Sequence, residues 1–183
     1  MLIKPAAIRH WVDGFAPEGD AQAAWSRETT LALLAGAAGV CSRTSFDPGH
    51  VTASGLVLSR DGEAVLLVFH ARLGRWLQPG GHLEPADATV VDAARREVLE
   101  ETGIAVDAGV PPVLVSVDVH EIPPARGEPA HRHHDLMFRF VAPGREAVAG
   151  AGTLRAAWAK VDRLDEFGLD GPLRRAVARA RSI

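Results

Sequence analysis

Apolar residues crowd into two runs, Val51 to Ser59 and Ala64 to His70, parted by the polar tetrapeptide Arg60-Asp61-Gly62-Glu63. Runs of this length, rich in Val and Leu and broken by an Asp-Gly pair, predict a β-hairpin. Upstream the period changes. Trp25, Leu31, Leu34 and Ala38 form an apolar stripe, with Asp20 placed as an N-cap and Gly39 as a stop, which predicts a helix from Ala21 to about Ala38. Residues 1–19 carry Pro5, Gly14, Pro17 and Gly19 and read as irregular, apart from a short strand or helix around Ile8 to Val12.

Downstream, a helix is expected from Asp87 to Glu101 or Thr102, with Val91, Ala94 and Val98 inward and Gly103 supplying a left-handed stop. Asp92 precedes Arg96 by four positions, the favourable order for a helical ion pair contributing ~0.2–0.5 kcal/mol. Val113 to Ile122 and about His131 to Ala142 read as strands. The loop between them, 123–129, holds two proline sites and a glycine and is long enough to lie over a pocket. A strand from Thr153 to Val161, containing Trp158, and a short arginine-rich helix from Pro172 to Arg181 complete the pattern.

Composition narrows the classes. A length of 183 residues suits one well-packed domain, with residues 1–50 as an N-terminal extension carrying a helix and 51–183 as the core. A formal net charge of -3 offers no basic surface of the kind that duplex DNA or structured RNA requires. Cys41 is the single cysteine, so no intrachain disulfide can form, and a cytoplasmic location is expected. The apolar stretch Leu31 to Cys41 is too short to span a bilayer, so neither export nor a membrane partner is expected. The helix before Gly39 is expected to pack on the sheet, or else to form a homodimer contact.

The most informative stretch runs from Gly80-Gly81-His82-Leu83-Glu84-Pro85-Ala86-Asp87 to Arg96-Glu97-Val98-Leu99-Glu100-Glu101-Thr102-Gly103-Ile104. On a helix, Glu97, Glu100 and Glu101 fall within an arc of roughly 100°. Three carboxylates so placed repel one another unless a cation lies among them, and Mg²⁺ or Mn²⁺ accepts carboxylate oxygens while keeping positions open for water and phosphate. An Arg-Glu-x-x-Glu-Glu string alone also describes a solvated helix face. The full spacing is far more selective: six specified identities at roughly 7% usage each match by chance on the order of 10⁻⁷ per start position.

These residues resemble the box of the Nudix hydrolase family. Gly81, Arg96, Glu97, Val98, Glu100, Glu101, Gly103 and Ile104 match it, while Asp87 stands where the family has a glutamate and one extra residue separates it from Arg96. Neither departure touches the Arg-Glu-x-x-Glu-Glu core. The resemblance implies an α/β (α+β) fold of the α/β/α sandwich type, a mixed sheet flanked by helices, here with an extra N-terminal helix. It implies hydrolysis of a diphosphate linkage in a small nucleotide-like substrate. Glu97 and Glu101 would be the principal metal ligands, Glu100 a further ligand or water-positioning base, Arg96 a brace for the carboxylates, and the carbonyl of Gly80 or Gly81 a last ligand. A metal ligand or base from outside the box is also expected, with Glu121 and Glu128 foremost and His133 behind them. A base could stack on Trp76, Trp11 or a phenylalanine, although packing is the better reading of Trp76. The absence of tyrosine speaks against a dinucleoside-polyphosphate preference, and no proline lies where the ADP-ribose type places one. Two other activities fit the family's range: a nucleotide-binding module without turnover, and a prenyl-diphosphate isomerase using Cys41.

A second constellation comprises His131, His133, His134 and Asp135, with His120 and Glu121 on the preceding strand. Strand alternation puts His131, His133 and Asp135 on one face and His134, Leu136, Phe138 and Phe140 on the other, the second being core. The polar face has three readings: an ordinary polar strand start, groups that bind substrate phosphate or move its protons, and, last, a zinc site.

Overall fold

A computed structural model describes residues 3–36, 39–71, 73–125, 127–146 and 153–183. Seven strands form one mixed sheet: β1 (His50–Leu58), β2 (Ala64–His70), β3 (Arg75–Leu77), β4 (Gly80–His82), β5 (Val113–Ile122), β6 (His131–Val141) and β7 (Thr153–Lys160). The helices are α1 (Pro5–Gly14), α2 (Ala21–Gly36), α3 (Val90–Thr102), α4 (Gly171–Arg181) and a 3₁₀ helix over Val161–Phe167. The sheet runs β3-β2-β1-β6-β5, with β4 also on β1 and β7 also on β2. Among the described residues only β1 and β6 pair in parallel. No helix among the described residues is long and apolar enough to cross a membrane.

Strand β1 organises the molecule. One face, with Val51, Ala53 and Val57, joins the core beneath α1, α2 and α3, and the other, with Leu56 and Leu58, joins a second core that contains residues of α4. The same second face carries His50, Thr52 and Ser54 at the other end of β1, so it changes from polar to apolar along its length. One edge of β1 is shared: β2 meets it at Leu58, and β4 meets it over Thr52, Ala53 and Ser54.

Several expectations need correcting. The N-terminal stretch is a full helix, α1, whose Ile8 and Val12 are completely buried; proline at its first position is compatible with a helix start. Helix α2 buries Ala23, Ser26, Thr30, Leu33 and Leu34, whereas Trp25 is exposed. Polar residues line this buried face because the sheet supplies their partners: Ser26 Oγ accepts the Val119 amide at 3.1 Å, and Thr30 Oγ1 bonds His134 Nδ1 at 3.0 Å. Of the expected stripe, Leu34 is buried and Leu31 packs against the core, so only Trp25 faces the wrong way. Ala38 lies outside the described residues.

Helix α3 begins at Val90, not Asp87, and Thr89 is its cap, accepting the Asp92 amide at 3.1 Å. Gly103 ends it in the left-handed conformation at φ 69°. Asp92 pairs with Arg95 at 3.6 Å, not with Arg96, whose guanidinium is taken up by deeper carboxylates.

Candidate active site

The site forms where α3 crosses β4. Strand β4 is antiparallel to β1, with Gly81 opposite Ala53, and its glycines let the strand lie directly against α3 and β1. A Cβ on Gly81 would fall 2.6–2.9 Å from the carboxylate atoms of Glu97. At Gly80 the amide donates to Glu101 Oε2 at 3.1 Å, and a Cβ would meet Ser54 Cβ at 2.4 Å. Two carboxylates of the box thus lie against glycine backbone: a side chain at Gly81 would displace Glu97, and one at Gly80 would push β4 off β1.

Arg96 ties the box together. Its Nε and Nη2 donate to Asp87 at 3.0 and 3.1 Å, its Nη1 to Glu97 at 2.8 Å and Glu100 at 3.0 Å, and its Nη2 also to the His82 carbonyl at 2.8 Å. Asp87 is itself buried and accepts the Glu84 amide at 2.7 Å. The shorter acid therefore fixes the loop and holds the arginine, and the extra residue is absorbed between Asp87 and the cap of α3.

Electrostatics separate the three glutamates. The Glu97 side chain is 15% exposed and that of Glu100 56%, so Glu100 stands at the rim. Burial pushes the Glu97 carboxyl above its ordinary range, against the pull of Arg96. Burial also pushes Glu101 up, to about 7, helped by Glu97 and Glu100 and opposed by the Gly80 amide. Such a cluster favours a cation, which would restore both groups to their charged forms. Oxygen donors around a glycine backbone fit a hard divalent ion.

Residues expected outside the box are placed as follows. Glu121, at the end of β5, pairs with Arg132 at 3.7 Å and is exposed, and Glu128 pairs with Arg43 at 3.5 Å and is half-buried. Trp76 packs edge-on against Phe69 and Phe167 at 5.4 and 5.3 Å, and Trp11 against Phe138 at 5.1 Å, so both rings serve the interior. Cys41 is buried in the core, which pushes its thiol pKa up.

His131, His133 and Asp135 do share one face and His134 the other, as alternation predicts. On the shared face Asp135 accepts hydroxyls from Thr52 at 2.9 Å and Ser54 at 2.5 Å. Two histidines missed by the sequence reading join this face. His50 lies opposite His133 in the parallel pairing, and His82 opposite Thr52. Only the strand register brings them together; His82 is hidden inside the box and His50 begins an apolar run.

A family model described as NUDIX domain matches residues 48–180. Among solved structures, the MutT protein of Bacillus halodurans is 22% identical over 73% of this chain and 82% of its own, with a TM-score of 0.55. The dihydroneopterin triphosphate pyrophosphohydrolase of E. coli is 22% identical over 70% of this chain and 92% of its own, with a TM-score of 0.55. The NUDIX domain of Shewanella oneidensis NrtR, solved with ADP ribose, is 15% identical over 82% of this chain and 96% of its own, with a TM-score of 0.56. A search of curated protein sequences returns no match.

Proposed function

The chain belongs to the Nudix family of hydrolases, which act on phosphoric anhydride bonds, and on that premise we propose that it is a metal-dependent pyrophosphohydrolase cleaving a nucleoside diphosphate linked to another moiety. The observation that carries this reading is the pair Glu97 and Glu101, half-buried against the backbone of Gly80 and Gly81 with both carboxyls raised. Glu97 and Glu101 would hold Mg²⁺ or Mn²⁺, together with the carbonyl of Gly81 and with Glu100 as a further ligand or as the group that positions water. When bound, such an ion neutralises charge on the non-bridging oxygens and orients water in line with the leaving oxygen.

This chain's own residues do the rest. Arg96 fixes Glu97 and Glu100 in orientation and keeps the loop at Asp87 closed on the helix. Glu100, at the rim, reaches solvent and is suited to take a proton from the attacking water. Glu121, at the end of β5, and Glu128, in the loop that follows it, are the candidates for a base outside the box. Of the two residues expected to contact substrate, Trp76 and His133, Trp76 is taken up by packing against Phe69 and Phe167. The chemistry calls for a small-molecule nucleotide partner, and the burial of Cys41 in the core argues against an isomerase that uses its thiol.

The test is nucleoside monophosphate or phosphate release from a panel of nucleoside triphosphates, nucleotide sugars, ADP-ribose, NADH, dinucleoside polyphosphates and coenzyme A, with Mg²⁺ or Mn²⁺. Glu101→Gln is expected to lose most turnover with an unchanged circular dichroism spectrum. Full turnover in that variant would overturn the assignment. Silence of the wild type across the panel, with a nucleotide still raising its Tm, would favour a binding module instead.

A further inference from the structure

On the sheet face away from the box helix, imidazoles from separate strands converge. Rings of His50 (β1), His82 (β4) and His133 (β6) lie 4.8–5.1 Å apart by centroid, and one ring nitrogen from each falls within 4.8 Å of the others. His131 adds a fourth ring, its Nε2 3.3 Å from His133 Nε2.

Hydrogen bonding sets which nitrogens face inward. A backbone carbonyl can only accept, so His50 Nδ1 donates to Ser45 O at 3.0 Å and His131 Nδ1 to Pro129 O at 2.8 Å. In the neutral rings Nε2 is then a lone pair on both. His50 is completely buried, and its Nε2 is without a hydrogen-bond partner. An imidazole oriented through Nδ1 by a backbone oxygen, with Nε2 left bare, is the arrangement that outer contacts impose on metal-binding histidines. Alongside, His120 is anchored through Nδ1 to the Asp118 carboxylate at 2.9 Å.

We propose that His50, His82 and His133, with His131 as the fourth donor, form a binding site for a divalent transition-metal ion of the zinc class, separate from the carboxylates of the box. Tetrahedral zinc with nitrogen donors at about 2.0–2.1 Å places those donors about 3.3–3.4 Å apart. The His131–His133 separation, spanned by a hydrogen bond between the two rings, already has that value, and the nitrogens of His50, His82 and His133 would close in from within 4.8 Å. Neutral nitrogen donors select zinc, nickel or copper over magnesium or calcium. Burial first, and the crowding of like groups second, hold His82 at about 4 and His133 at about 2, so both are in the ligating form at neutral pH. Asp135, two residues beyond His133 on the same face, is buried and accepts the hydroxyls of Thr52 and Ser54. A cavity of about 340 Å³, lined by Phe46, Pro48, Glu121, His131 and Arg132, gives a path from solvent to His131. The ion would clamp β4 to β1 and β6, the strand whose opposite face supports the box carboxylates.

This inference is independent of whether the box hydrolyses anything, and its test reads the metal alone. Wild-type protein is titrated with Zn²⁺ by calorimetry in excess Mg²⁺, and with Co²⁺ by visible absorption, which reports four-coordinate nitrogen ligation directly. One equivalent of Zn²⁺ should bind and raise the Tm, and Co²⁺ should give an intense visible band. His133→Ala and His82→Asn, each checked for folding by circular dichroism, should bind Zn²⁺ roughly 100-fold more weakly. Glu101→Gln should keep both the band and the affinity. A folded wild type without a Co²⁺ band, a band surviving in both histidine variants, or a band lost in Glu101→Gln would each overturn the proposal.

Discussion

Gly81 and His82 are neighbours in β4, yet they serve regions of opposite make. Gly81 faces the Glu97 carboxylate, with oxygen donors supplied by a single helix. His82 faces His50 and His133, with nitrogen donors supplied by three strands. On the carboxylate side the acids are held by Arg96 and by backbone amides, and burial raises their pKa values. On the histidine side backbone oxygens orient His50 and His131, and burial lowers the pKa values of His50, His82 and His133. Burial thus pushes both regions toward neutrality from opposite directions: the imidazoles are left ready to bind a metal, whereas the carboxyls must give up protons to do so.

The largest expected effect comes from altering β4 on one side only. Gly81→Ala puts a methyl 2.6 Å from Glu97 Oε1, so the carboxylate must swing away from the strand. Turnover should fall roughly 100-fold, while Zn²⁺ affinity at the histidines stays within a factor of a few. Steady-state kinetics beside calorimetry checks this. Loss of both together would mean that β4 responds as one unit and that the two regions are not separable.

A middle-sized effect is expected at Asp87. Its carboxylate is 5% exposed and holds both Arg96 and the Glu84 amide. Asp87→Ala leaves a largely buried guanidinium without the carboxylate that it meets through two of its nitrogens, a loss of roughly 3 kcal/mol. Urea unfolding should show the midpoint falling with the m-value unchanged. Turnover should fall with it, because Arg96 no longer aligns Glu97 and Glu100. A stable variant with full turnover would show that Arg96 is positioned by the glutamates alone.

The two regions also differ in how far the sequence disclosed them. The box is contiguous, so its residues could be placed on a helix by counting, and Glu97, Glu101 and the Gly103 stop are where counting put them. The hairpin, β5, β6 and the two faces of β6 were legible for the same reason, since alternation is a local property. The histidine site was half legible. His131 and His133 stood out on one strand, but His50 and His82 reach them only through the parallel pairing of β1 with β6 and the short pairing of β4 with β1. Register between distant strands is set by the packed sheet, not by nearby residues. Helix α2 misled for a related reason. Its inward Ser26 and Thr30 look polar until the sheet supplies the partners that make them buried residues.

The smallest effect separates a buried acid from an exposed one. Asp61, in the turn joining β1 to β2, accepts the Ser59 hydroxyl at 2.6 Å, the Glu63 amide at 3.0 Å and Arg145 at 2.6 Å. Those contacts hold its carboxyl well below the usual carboxylate range, the reverse of Glu101. A depressed folded-state pKa contributes stability that is complete above the unfolded value of about 3.9 and drains away as the pH falls below it. Asp61→Asn should therefore lower the Tm slightly and by a constant amount between neutral pH and about pH 5, with the gap to wild type narrowing below about pH 4. Thermal melts across that range give the answer. A gap that held constant to the acid limit would assign the turn's contribution to shape and not to charge. In that case pairing with Arg145 would add nothing, as is common for exposed ion pairs, and charge would matter in this molecule only where carboxylates or imidazoles are crowded out of water.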